Sequence, residues 1–181
     1  MKKENFMEKI AAPEGVTVAV NGTTVSVSGS KGEVTKIFRM PRFSFSVENN
    51  ALVVSCKKYS VYDRCNFMTL TAHLSNMFTG VQEGYEYELK ICSSHFPMTV
   101  AVSGDKLTVK NLLGEKVPRV LTLKKGVEVK VNGDIIVVSG VDVELVSQVA
   151  ADIEQLTRIT DRDRRIFQDG IYITKKAGVP V

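Results

Sequence analysis

Cysteine is scarce in this chain. Its 181 residues include three, Cys56, Cys65 and Cys92, and none forms a Cys-x-x-Cys pair. An odd number without paired spacing offers no disulfide framework and no thiolate zinc site; the three read as buried, reduced thiols. Histidine is scarcer still, with only His73 and His95. Spacing assigns neither a partner, so no nucleophile–base triad is supported. No apolar run approaches the ~20 residues that a membrane span requires. The opening MKKENFMEKIAAPEG begins with a lysine pair but lacks the apolar core of a secretory signal. The chain therefore reads as soluble, cytoplasmic and without a membrane partner.

What is present is an ample apolar complement and an uneven charge. Apolar residues make up 44% of the chain and the formal net charge is +4. That composition excludes disordered and fibrous classes and tilts the chain towards an anionic partner. The positive charge is concentrated. Lys106–Lys130 holds cations at positions 106, 110, 116, 119, 124, 125 and 130 against Glu115 and Glu128. Val141–Glu154 is purely acidic, and Gln155–Lys176 is basic again. Two basic zones favour a docking face over a uniformly solvated coat.

The chain also repeats itself. Thr17-Val18-Ala19-Val20 recurs as Thr99-Val100-Ala101-Val102, Gly22 as Gly104, and Gly32-Glu33 as Gly114-Glu115, at a constant offset of 82 residues. Val47–Ser55 parallels Val131–Ser139 at an offset of 84. A repeat this long exceeds a solenoid unit and implies a duplicated domain. Each copy shows alternating strands around Asn21-Gly22, Gly104-Asp105 or Asn132-Gly133 turns. Each copy then closes with a helix. Phe67, Leu70, Leu74 and Met77 form one apolar stripe, with Ser60 and Asp63 as a capping pair and Gly80 as the stop. Leu145, Val149, Ile153 and Leu156 form the other, with Asp142 as N-cap. The predicted class is α+β: two tandem domains, 1–83 and 84–181, each a small antiparallel sheet with one packed helix.

The run Gln155–Lys176, QLTRITDRDRRIFQDGIYITKK, carries six cations, three acids, Phe167 and Tyr172, with Asp169-Gly170 as a turn before Ile171-Tyr172-Ile173. Cations interleaved with aromatics suit a surface that holds phosphates and stacks on bases. The same pattern also fits a solvated helix end followed by an edge strand. Lys31-Gly32 and Gly114-Glu115-Lys116 occupy equivalent loops, where glycine would either admit phosphate to backbone N–H groups or simply form a tight turn. Asp161, Asp163 and Asp169 raise a metal-dependent phosphoesterase. Arginines interrupt them, however, and no glycine-containing calcium loop accompanies them.

At these residues the chain resembles a known family. Gln155, Ile159, Arg162, Arg165, Phe167, Asp169, Gly170, Ile171, Tyr172, Ile173 and Lys176 fit the C-terminal motif of the universal large-subunit ribosomal protein called L-six in bacteria and L-nine in eukaryotes. The form is that of the archaeal and eukaryotic branch. Ser28–Gly32, Asn76–Val81, Gly84-Tyr85, His95-Phe96-Pro97 and Asn111–Lys116 resemble further family segments, so the likeness covers nearly the whole chain. It departs in places. Lys57–Asp63 replaces a basic, Trp-containing stretch, an arginine cluster is thinned to Val117-Pro118-Arg119, and no long tail follows Lys176. The chain thus resembles a divergent, trimmed eukaryotic member.

The resemblance implies a structural component of the large ribosomal subunit that supports translation in the cytosol. It would bind large-subunit rRNA near the sarcin–ricin loop and the translational GTPase site, with neighbouring large-subunit proteins as further partners. It implies no catalytic residue, cofactor or metal. The implied rRNA-binding residues are Lys116, Arg119, Lys124, Lys125, Arg158, Arg162, Arg164, Arg165, Phe167, Tyr172, Lys175 and Lys176. The competing expectations are the phosphoesterase and a free-standing protein-interaction module.

Overall fold

The computed structural model describes residues 3–48, 50–163 and 165–181. They form two compact units, Met1–Gly84 and Tyr85–Val181. The first contains β1 (Lys3–Ala11), β2 (Thr17–Asn21), β3 (Thr24–Gly29), β4 (Gly32–Ile37), β5 (Phe43–Glu48), β6 (Ala51–Tyr59) and α1 (Val61–Gln82). The second contains β7 (Tyr85–Cys92), β8 (Thr99–Ser103), β9 (Lys106–Lys110), β10 (Arg119–Thr122), β11 (Val127–Asn132), β12 (Ile135–Gly140), α2 (Val143–Leu156), β13 (Gly170–Lys176) and β14 (Val179–Pro180). The class is α+β, and the duplication is plain in the pairing.

Each unit divides its strands between two antiparallel sheets, ordered β2-β3-β4 and β1-β6-β5 in the first, β8-β9-β10 and β11-β12-β7-β13-β14 in the second. The expectation of one sheet per copy is thereby refined. Between β4 and β5 the chain passes Pro41, which has no N–H to donate to a ladder. Between β10 and β11 it turns through Gly126 at φ +89°. β1 lies on β6 as β7 lies on β12. The second unit alone then adds β13 to the other side of β7. β1 escapes the sequence pattern because the half-buried Phe6 and Ile10 flank an exposed Glu8, while Met7 faces solvent.

The turns rest on glycine, one residue later than the Asn-Gly pairs suggested. Partners Asn21↔Thr24, Ser103↔Lys106 and Asn132↔Ile135 leave loops that begin with Gly22, Gly104 and Gly133. All three adopt φ near +60°, which costs glycine little because it has no Cβ. Strand alternation then aims Val25 and Val27 inward in β3, and Ile136 and Val138 in β12.

Both helices begin as the sequence implies. Asp63 Oδ2 accepts the Ser60 N–H at 2.8 Å while the Ser60 hydroxyl faces the Asp63 N–H, a closed capping box. Asp142 caps α2 by accepting the Glu144 N–H at 2.9 Å. The end of α1 is a correction. Gly80 lies inside the helix and is buried, and Gly84 at φ +78° provides the left-handed stop, its N–H returning to Gly80 O at 3.0 Å. The α2 stripe is centred on Val146, Val149, Ala150 and Ile153, with Leu145 and Leu156 only half-buried. The cysteines also differ from expectation. Cys56 is buried, Cys92 is partly covered, and Cys65 is exposed because its helical position points away from the core.

Candidate RNA-binding interface

Every residue of the implied rRNA set lies in the second unit, and Arg164 falls outside the described residues. The scaffold of that unit is a closed apolar core of Leu89, Leu107, Ile136, Val149 and Ile153 with Ile171 of β13. Ile171 thus anchors the C-terminal run to the duplicated body. Three polar ties complete the attachment.

The first tie is Thr157, the C-cap of α2. It is buried, and its hydroxyl accepts the Ile171 N–H at 2.9 Å, joining the helix end to β13. The second is Arg119 in β10. One guanidinium nitrogen donates to the Leu156 and Arg158 carbonyls at 2.8 and 3.0 Å, and the rest of the fork grips the Glu115 carboxylate. That hydrogen bond pulls the Glu115 carboxyl down against a desolvation that would raise it. Arg119, named from the sequence as an RNA contact, therefore directs its donors inward, satisfying carbonyls that a helix end leaves unpaired.

The third tie is Asp169. Its side chain is 2% exposed. Oδ1 accepts the backbone N–H groups of Ser94 and His95 at 2.6 and 3.1 Å; Oδ2 meets the His95 ring at 2.6 Å and accepts the Ser94 hydroxyl at 3.2 Å. Burial alone would push this carboxyl up. The N–H of His95, its ring and the N–H of Ser94 outweigh it and bring the carboxyl down to about 2. Asp169 is thus a clasp between the loop after β7 and the entry to β13, where Gly170 pairs with Cys92. The expected Asp169-Gly170 turn is corrected: Gly170 already belongs to the strand. No local signal marks this clasp, since its members lie some 75 positions apart.

Outside these ties the cations separate by role. Arg165 is 90% exposed and lies against Asp163, Nη2 to Oδ2 at 2.8 Å; this hydrogen bond lowers the Asp163 pKa. Lys175 pairs with Glu88 at 2.8 Å, and Lys124 approaches Asp152 at 3.8 Å. Lys116, Lys125, Arg158, Arg162 and Lys176 are exposed. Arg162 lies over the Phe167 ring, 4.9 Å from its centroid, and the His95 ring stacks on Phe167 at 5.0 Å. Phe167 is therefore already engaged by two neighbours. Tyr172 is placed differently. It lines a cleft of about 250 Å³ with Arg158, Phe167 and Gln155, and a second, more open one with Arg165, Gln168 and Cys92. The structure therefore brings Arg158, Phe167 and Tyr172 together, and Arg165 and Tyr172 together. Lys116 and Lys125 occupy loops on either side of β10.

The phosphoesterase expectation finds no such convergence. Asp169 is enclosed by Ser94 and His95, and Asp163 is held by Arg165. Among the described residues no three His, Cys, Asp or Glu side chains are grouped to hold a metal ion. The loop at Lys31 is a tight turn docked on α1, with the Lys31 N–H donating to Val81 O at 2.9 Å. Among the described residues no helix is long and apolar enough to cross a membrane.

The model of the ribosomal protein L6 family matches residues 12–84 and 96–170, one segment in each compact unit. The chain belongs to the ribosomal protein L6 family. Relatives named large ribosomal subunit protein uL6 align along almost its full length. The Aeropyrum pernix protein is 44% identical over 97% of both chains. That of Methanocella arvoryzae is 43% identical over 94% of this chain and 97% of its own, and that of Haloarcula marismortui 42% identical over 93% and 94%. These archaeal likenesses agree with the branch that the C-terminal motif indicated. The two matched segments of the L6 family also coincide with the internal repeat, so the duplicated scaffold belongs to the family.

Proposed function

We propose that this chain is a non-catalytic structural component of the large ribosomal subunit in the cytosol. The observation that carries the reading is the near-complete alignment with uL6 proteins across both units. The second unit is its RNA-binding part. Arg158, Arg162, Arg165, Lys116, Lys125 and Lys176 contact large-subunit rRNA, with Lys124, Lys175 and Tyr172 beside them. Arginine suits this work because its planar fork grips phosphate oxygens in pairs and stacks on bases. By family resemblance the site lies beside the sarcin–ricin loop, close to where translational GTPases bind, with other large-subunit proteins as neighbours. Arg119 supports the surface from behind, holding the end of α2 in place.

The test is a salt series on a large-subunit rRNA fragment carrying that loop. About six to eight phosphate contacts give a slope of log K against log salt of roughly −4 to −7. A slope near zero sinks the reading. Failure to sediment with large subunits would instead favour the free-standing interaction module.

A further inference from the structure

The outward face of α1 is unusually poor in charge. The helix contains only Asp63, Arg64 and His73 as titratable side chains with charge to offer, and Asp63 is buried in the capping box. Diametrically opposite its buried stripe run Val61, Cys65, Met68 and Ala72, at the i, i+4, i+7, i+11 spacing of one helical face, with Tyr62 alongside. Val61, Tyr62 and Met68 are 77%, 83% and 60% exposed. The polar groups on the same side are uncharged: exposed Ser75 and Asn76, and two threonine hydroxyls that bond back to the helix. Thr69 donates to the Cys65 carbonyl at 3.0 Å and Thr79 to the Ser75 carbonyl at 3.1 Å, so neither hydroxyl is left without an acceptor. α2 differs, presenting Glu144, Gln148 and Gln155 to solvent.

We propose that this face docks an uncharged, apolar surface of a neighbouring protein within the large subunit. This rests on the reading of the chain as a large-subunit component. Charge argues against RNA as the occupant. Phosphates pressed on Val61, Met68 and Tyr62 would lose hydration with little to compensate, because Arg64 is the one cation on the helix and Arg42, at its N-terminal end, is paired with Asp63 at 3.1 Å. Area argues against a second copy. The three large side chains show on the order of 400 Å², about half of the ~800 Å² per partner that a stable interface buries. A patch of that size is useful where rRNA already holds both proteins in place, because the second contact is then effectively intramolecular.

Cys65 reports on the face directly. In a Cys92→Ser chain assembled into large subunits, its maleimide labelling should be at least tenfold slower than in the free protein. A photoreactive maleimide attached at Cys65 before assembly should cross-link to a different subunit protein. Met68→Lys should leave the melting temperature of the free chain unchanged while increasing its loss from subunits several-fold in a salt wash. Labelling at the free rate, a cross-link to rRNA, or a cross-link to another copy of this chain would each overturn the proposal. Absence of the chain from large subunits would overturn the ribosomal reading itself, and sedimentation reveals that before any labelling.

Discussion

Replacing Asp169 by Asn tests the clasp with little change of shape. The amide keeps one acceptor oxygen for the N–H groups of Ser94 and His95 but loses the charge facing the His95 ring. The fold lowers this buried carboxyl from 3.8 to about 2. At about 1.4 kcal/mol per unit, that preference for the carboxylate is worth about 2 kcal/mol. Because the folded-state pKa lies below the unfolded one, the contribution is complete above about pH 5. It is lost as pH falls towards 2. The stability difference between wild type and Asp169→Asn should therefore be about 2 kcal/mol at pH 6 and shrink below about pH 5. In a unit of this size that corresponds to a fall in melting temperature on the order of 10 °C, measured by circular dichroism on the full chain at several pH values. Carbon-13 NMR of the Asp169 carboxyl should place its titration near 2. An equal melting temperature at pH 6, or a difference that persists unchanged at pH 3, would refute the clasp as described.

Further perturbations separate scaffold from surface. Ile153→Ala empties a fully buried position in the second core and should cost about 2–5 kcal/mol in a urea titration. Gly29→Ala would set a methyl 2.8 Å from the Val81 carbonyl oxygen; this backbone atom has little room to yield, so a loss of about 1–3 kcal/mol is expected. Arg158→Ala and Arg165→Ala should change stability by no more than about 0.5 kcal/mol, yet each should flatten the salt slope for rRNA by about 1. Arg119→Ala should do the reverse in emphasis, lowering the melting temperature because it leaves the Leu156 and Arg158 carbonyls unpaired. If Arg119→Ala weakened RNA binding without thermal loss, its supporting role would be wrong.

Much of the fold is legible in the sequence because it is written in short-range patterns. The Val25/Val27 alternation, the Ser60–Asp63 capping box and the Phe67–Met77 stripe each span one strand or a few helical turns. The residue types there answer to local geometry. The site is less legible. Arg119 and Arg165 are both arginines in basic stretches. One proves half-buried and internally bonded, the other almost fully exposed, and nothing in their immediate neighbours distinguishes them. Likewise Asp163 and Asp169 look alike in the run, although one meets solvent and Arg165 while the other closes a buried clasp.

By itself the sequence determined that this is a duplicated α+β chain with two basic zones, Lys106–Lys130 and Gln155–Lys176, in the second copy, because hydrophobic period, capping residues and repeat offset all act along the backbone. Only the tertiary structure decided which of those cations face outward, where Asp169 finds its donors, and that α1 shows solvent an apolar face. Those outcomes depend on which distant segments close on one another. Hydrogen bonds across some 40 to 75 residues, such as Arg119 to Arg158 and Ser94 to Asp169, exist only once the core has brought their ends together.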